Sequence, residues 1–277
     1  MPLPSKHPAD PQLLHAPLRI AQELSKVGTD PTQLMLVGAS CRDILHSTMG
    51  HDFPLRGTED WDFGVAVATW DQYDKIAGSF PEAGTNGLRR RIAGHAVDLT
   101  PFGPIEDDHG LVIRPPVQHI DVFGFRDVYD KSDTLPLGND LTVRIPQPQG
   151  YAALKMRAWI DRSQPGRGEY KDAVDIATAI VWFIASEEIE TWLYEEDTDN
   201  VLLQAADFDP TLAATLHLSA QIQAHLSPSV AKELFRQWRQ TNFELLRRNI
   251  RSHELPNWPT AKAQQRNLLT AIGQGRL

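Results

Sequence analysis

Asp60 and Asp62 stand two residues apart in Thr58-Glu59-Asp60-Trp61-Asp62-Phe63, which continues through Gly64-Val65-Ala66-Val67-Ala68 and reads as one strand. Residues i and i+2 of a strand point to the same face. The spacing therefore predicts two carboxylates presented together, a pair that attracts a hard cation such as Mg²⁺. About twenty residues upstream, Gly38-Ala39-Ser40 lies where the apolar run Leu34-Met35-Leu36-Val37 gives way to the polar, helix-like Cys41-Arg42-Asp43-Ile44-Leu45. A glycine there lets backbone approach a phosphate closely, Ser40 offers a hydroxyl, and the helix start offers unpaired N–H groups to an anion. Gly-x-Ser alone is too short to mean anything; its place before Asp-x-Asp gives it weight.

Strand, Gly-x-Ser turn, helix and Asp-x-Asp strand, in that order, resemble the DNA polymerase β-like nucleotidyltransferases. More specifically, Leu36-Val37-Gly38-Ala39-Ser40-Cys41-Arg42-Asp43, then Arg56-Gly57-Thr58-Glu59-Asp60-Trp61-Asp62-Phe63, then Val97-Asp98-Leu99-Thr100-Pro101-Phe102-Gly103 are similar to the nucleotidyltransferases grouped with the AbiEii/AbiGii toxins of abortive-infection (phage-defence) and toxin–antitoxin systems. A second block, Leu154-Lys155-Met156-Arg157 to Arg162 followed by Lys171-Asp172-Ala173-Val174-Asp175, resembles the Lys-containing and Arg/Lys-Asp motifs of that group. The resemblance implies that Gly38, Ser40 and Arg42 bind nucleotide, that Asp60 and Asp62 bind metal, and that Lys155 and Asp172 are functional residues of a second lobe. Lys155 would also bind nucleotide. Two departures stand out: many members show a second Gly and a Ser or Thr in the first motif and Leu or Ile between the two acids, whereas here the motif is Gly38-Ala39-Ser40-Cys41-Arg42-Asp43 and the intervening residue is Trp61. Trp61 is expected to point away from the metal face.

The reaction so implied moves a nucleoside monophosphate from an NTP to an acceptor hydroxyl. It needs the pyrophosphate charge held and the attacking hydroxyl activated, work done by two metal ions in related enzymes. Two Mg²⁺ require several carboxylates, and Asp98, inside Ala96-Val97-Asp98-Leu99-Thr100, is the natural third ligand. The alternative for Asp98 is a hydrogen-bonded acid at a strand end. Lys155, Trp159 and Arg162 fall on one helical face, so Lys155 would reach a nucleotide phosphate in a cleft facing the catalytic strands. The alternative is an ion pair of Lys155 or Arg162 with Asp172 that joins two helices, and Asp175 competes with Asp172 as the important acid.

The fold class expected is α+β: a nucleotidyltransferase-type mixed sheet with flanking helices over residues 1–148, then an all-helical domain over 149–277, divided at Pro146-Gln147-Pro148-Gln149-Gly150. In the first domain a helix is expected over Pro17–Val27 and another from Thr69 to about Phe80. A hairpin is expected from Leu88–Ile92 and Ala96–Thr100, with further strands at Asp121–Phe125 and Leu141–Ile145. In the second, helices are expected over Tyr151–Asp161, Tyr170–Ile184, Ser186–Tyr194, Pro210–His225, Pro228–Asn249 and Thr260–Ile272.

The single cysteine, Cys41, excludes an internal disulfide and reads as a core residue. No apolar leader and no stretch long enough to span a membrane are seen, so a cytoplasmic protein with no membrane partner is expected. The chain's −9 is uneven: from Leu226 onward nine Lys or Arg face three Glu, giving +6, whereas Ser186–Asp209 has nine acids and no base. With Phe235, Trp238, Phe243 and Trp258 interleaved, this basic region is a candidate surface for an RNA acceptor such as a tRNA 3′ end. A solvated helix face folded on the acidic segment is the competing reading. An antitoxin protein is the other expected partner. Set against the enzyme are a non-catalytic nucleotide-binding or interaction module of the same fold and a small-molecule, antibiotic-type nucleotidyltransferase. His51-Asp52 does not make a metal-dependent phosphohydrolase, since it lies in a polar loop without a histidine pair at helical spacing.

Overall fold

The computed structural model describes residues 7–58, 60–85, 87–114, 118–164, 170–195, 200–251 and 255–275. Glu59 of the acidic motif, residues 196–199 of the acidic segment, and Glu254 and Arg276 of the basic region lie outside them. The chain forms two compact units, one of His7–Thr48 with Arg56–Gln147, the other containing Met49–Leu55 and the chain from Pro148 onward.

The first unit runs α1 (Pro11–Lys26), β1 (Leu34–Val37), α2 (Gly38–Thr48), β2 (Trp61–Ala66), α3 (Trp70–Ala77), β3 (Arg89–Ile92), β4 (His95–Phe102), β5 (Leu111–Arg114), β6 (Gln118–Asp121), α4 (Phe125–Asp130), β7 (Asp133–Gly138) and β8 (Leu141–Ile145). Six strands make a mixed sheet in the order β3-β4-β2-β1-β8-β7. β2 with β4 and β1 with β8 are parallel, and the other pairs are antiparallel. All four residues of β1 are buried, which is why that strand reads as an unbroken apolar run. A parallel β2–β4 pair needs a crossover, and α3 lies in it. Thr69 caps α3 by accepting from the Gln72 N–H, and buried Tyr73 donates to the Leu99 carbonyl at 2.8 Å, fastening the helix to β4.

Several elements differ from expectation for local reasons. Asp10 caps α1 and Pro11 occupies its first turn, so the helix begins before Pro17, which lies inside it. The expected strand Asp121–Phe125 ends at Asp121, whose carboxylate accepts from the Phe123 N–H; Gly124, at φ 82°, then turns the chain into α4. β7 carries Pro136, which is tolerated because β7 is an edge strand.

The second unit contains α5 (Pro148–Arg162), α6 (Asp172–Ile184), α7 (Glu187–Leu193), α8 (Val201–Ala205), α9 (Pro210–His225), α10 (Pro228–Trp238), α11 (Phe243–Arg248) and α12 (Lys262–Ala271), and no strand among its described residues. The helix expected over Pro228–Asn249 is two, because the Asn242 side chain accepts from the Leu245 N–H and starts a new one. Its core holds Trp159, Trp182 and Trp238, the last donating to the Leu269 carbonyl at 2.9 Å. The aromatics of the basic region, expected to stack on bases, turn inward instead. Phe235, Trp238 and Trp258 are buried, and Phe243 lies edge-on to Trp238. Arg236 pairs with Glu233, and Arg247 and Arg248 with Glu244, all within their own helices instead of with the acidic segment.

Candidate active site

β1 runs straight into α2 at Gly38, whose φ of +68° falls in the left-handed region. Val37 is the partner of Asp62 in the β1–β2 register, so the Asp62 side chain comes against the glycine. A Cβ at Gly38 would meet Asp62 Oδ2 at 2.0 Å, so only glycine fits. Two residues on, Ser40 is buried in the first turn of α2, and its hydroxyl has no hydrogen-bond partner among the described residues. A buried polar atom in that state is costly.

The sheet register continues the row. Asp62 is level with Asp98 on parallel β4, and Asp98 is level with Arg89 on antiparallel β3. Neighbours on adjacent strands share a face, so Val37, Asp62, Asp98 and Arg89 cross four strands in line. Arg89 grips Asp98 with a fork, Nε to Oδ1 at 3.0 Å and Nη2 to Oδ2 at 2.7 Å. The same Nη2 reaches Asp60 Oδ2 at 3.2 Å. The Asp60 and Asp98 oxygens are therefore no farther apart than those two contacts laid end to end. The bonds to Asp98, and then the charges of Asp98 and Asp60, raise the Arg89 pKa above its ordinary value despite some burial. Trp61 alternates to the other side of β2 and meets the edge of His95. Among the described residues no group of three or more His, Cys, Asp or Glu side chains is arranged to hold a metal ion. Asp62 and Asp98 share one face of the sheet; Asp60, expected within the strand, lies just before β2 and is tied to Asp98 by the Arg89 guanidinium between them.

Arg42 departs from expectation. It is buried, and its guanidinium bonds to Asp43 and to the Arg56 carbonyl, fixing the segment that leads into Asp60. Arg89 is the residue that motif reading missed. The signal was the two-residue Ala93-Gly94 turn, both residues at positive φ, which pairs Ile92 with His95 and hence Arg89 with Asp98.

In the helical unit Lys155 of α5 lies 2.7 Å from Asp175 Oδ2 and 3.2 Å from Asp172 Oδ1, the two acids of the first turn of α6. Arg162 adds a contact to Asp172 Oδ2 at 3.0 Å. Acids there also face the positive end of the helix dipole. Burial lowers the Lys155 pKa, but the charges of Asp175 and Asp172 outweigh it and hold it above the ordinary lysine value. The geometry is that of ion pairs joining two helices, with Asp172 and Asp175 both engaged.

Residues 30–262 match the family model of the nucleotidyl transferase AbiEii toxin, of type IV toxin–antitoxin systems. The chain belongs to this family. It is a nucleotidyltransferase of the toxin–antitoxin class, with an NTP as substrate and an antitoxin as partner. Among solved structures, an antigenic nucleotidyltransferase-like protein from Paracoccidioides brasiliensis is similar at 20% identity and a TM-score of 0.39, over 72% of this chain and 93% of that one. At that score the likeness carries no weight for this AbiEii protein. No curated protein matches it. No helix among its described residues is long and apolar enough to cross a membrane.

Proposed function

We propose that this AbiEii-family enzyme transfers a nucleoside monophosphate from an NTP to an acceptor hydroxyl at Gly38, Ser40, Asp60, Asp62 and Asp98, with Mg²⁺ held by the three acids. One observation supports the reading: Gly38, at positive φ, leaves room that the Asp62 carboxylate takes up, two residues before a buried Ser40 hydroxyl without a partner among the described residues. A hard-oxygen donor and the start of a helix, which favours an anion, thus stand side by side. Asp60 and Asp98 extend that donor set, and three carboxylates suit Mg²⁺. Bound there, the metal would neutralise triphosphate charge and activate the acceptor hydroxyl. The chain's own groups divide the remaining work. Gly38 admits a phosphate oxygen to the backbone, Ser40 donates its hydroxyl, and the start of α2 favours the negative charge. Arg42 acts at one remove by holding Arg56.

Residues 1–148 are proposed as the catalytic domain and 149–277 as a helical domain in which Lys155 and Asp172 join α5 to α6. A contact of Lys155 with a nucleotide phosphate would require it to let go of Asp172 and Asp175. For the acceptor we propose a tRNA 3′ end, supported by the exposed Lys232, Arg239, Lys262 and Arg266 of the basic region. Purified protein incubated with each labelled NTP, Mg²⁺ and total RNA tests the reading. Label should appear in the tRNA fraction and vanish with Asp62→Asn. Transfer by Asp62→Asn at the wild-type rate would sink the site, and label on protein or on a small molecule would sink the tRNA.

A further inference from the structure

Nη2 of Arg89 touches Oδ2 of Asp98 and Oδ2 of Asp60 at once, the position that a cation shared by the two carboxylates would take. The register builds this in, since Arg89 and Asp98 are partners across the β3–β4 hairpin. Carboxylates brought as close as Asp60 and Asp98 repel one another, and a positive group between them stabilises the metal-free fold. Arg89 lies on the edge strand β3 and its side chain is partly exposed, so the guanidinium can swing out without breaking the sheet. Its neighbour on that face, Arg91, is exposed and bonds to the Gly94 carbonyl at the hairpin turn, away from the acids.

We propose that Arg89 is the resident cation of the metal-free site, holding the place between Asp60 and Asp98, so that a divalent ion enters by displacing its guanidinium. The proposal rests on the assignment of these acids as metal ligands. It opposes the simpler role in which Arg89 orients Asp98 for the ion, because the two roles differ in sign: a supporting residue strengthens metal binding, and a resident cation weakens it.

The test is Mn²⁺ binding to the full chain without nucleotide, read by calorimetry or by the paramagnetic resonance of free Mn²⁺, for wild type, Asp62→Asn, Arg89→Gln and Arg91→Gln. Arg89→Gln should bind Mn²⁺ roughly tenfold tighter, the size of one hydrogen bond to a charged group. Arg91→Gln, which removes the same charge from the same strand, should stay close to wild type. Unchanged or weaker binding by Arg89→Gln overturns the proposal, and so does an equal gain by Arg91→Gln, which would mean that only the general field matters. Asp62→Asn separates the two claims: it should lose most of the Mn²⁺, and if it binds like wild type the metal-site reading falls and takes the resident cation with it. Where Arg89→Gln is too unstable to titrate, thermal midpoints decide. Saturating Mn²⁺ should raise the midpoint of the variant more than that of wild type, and an equal or smaller rise overturns the proposal.

Discussion

Two clusters in this chain set acids against basic side chains, and they differ in water. In the sheet unit Asp60 is 47% exposed, Arg89 30% and Asp98 17%. In the helical unit Asp172 and Asp175 are at 0% and Lys155 at 11%. Partners that keep contact with solvent can be traded for other ions at small cost. Acids sealed inside a helix pair cannot, because breaking a buried pair leaves an uncompensated charge. The same chemistry serves exchange in one place and permanence in the other.

The sharpest way to break that comparison is Lys155→Ala. With both acids buried, it should lower stability by about 3–5 kcal/mol, read from urea unfolding. A variant as stable as wild type that nevertheless fails to transfer would move Lys155 from the helix joint to the nucleotide. Next comes Gly38→Ala, which meets both the positive φ and the Asp62 contact. It should cut kcat/KM by roughly 100-fold, the effect of displacing a reacting group by an ångström. A near-normal rate would mean that phosphate does not bind at Gly38. Smaller again is Arg89→Ala in the absence of metal. Because its partners are solvated, it should change stability by only about 0–1 kcal/mol; a loss as large as that of Lys155→Ala would erase the contrast between the clusters.

Glu106 supplies a third case, an acid whose burial outweighs its partners. Burial pushes its carboxyl up to about 7, against the opposing effects of the Gly103 N–H it accepts from at 2.6 Å and of Arg126. The folded state therefore holds this proton more tightly than the unfolded one, whose value is near 4.5. Its contribution is most favourable below that value, declines as pH rises from there to about 7, and is flat above. Urea midpoints at pH 5 and pH 8 should differ less in Glu106→Gln than in wild type.

Much of the site was legible because strand alternation and a glycine turn are local. Asp62 and Gly38 needed nothing but neighbours in sequence, whereas the strand expected from Thr58 begins only at Trp61 and leaves Asp60 outside it. Arg89 was not legible as a motif, since its partner is set by hairpin register, a count back from Ala93-Gly94. Lys155 and Asp172 were legible as a pair, with the ion-pair alternative written into the helical spacing, but how deeply they are buried depends on tertiary packing. The aromatic residues of the basic region misled for the same reason. Phe235 and Trp238 are three apart on one face of α10, and a helix with an apolar face turns it inward. Composition records which residues are near in sequence and not which side they take. The strand expected over Asp121–Phe125 was misplaced because the apolar Val122 and Phe123 hide the turn made by Asp121 and Gly124.

The parallel pairing of β2 with β4 also bears on when the enzyme becomes competent. A chain emerging from the ribosome has its glycine turn and first two acids well before the residues of β4 exist, and Asp98 can join them only after the α3 crossover and the following hairpin have closed. Non-local pairings of this kind form slowly. On the proposed assignment of Asp98 as a metal ligand, a nascent chain would lack the complete acid set until β4 docks.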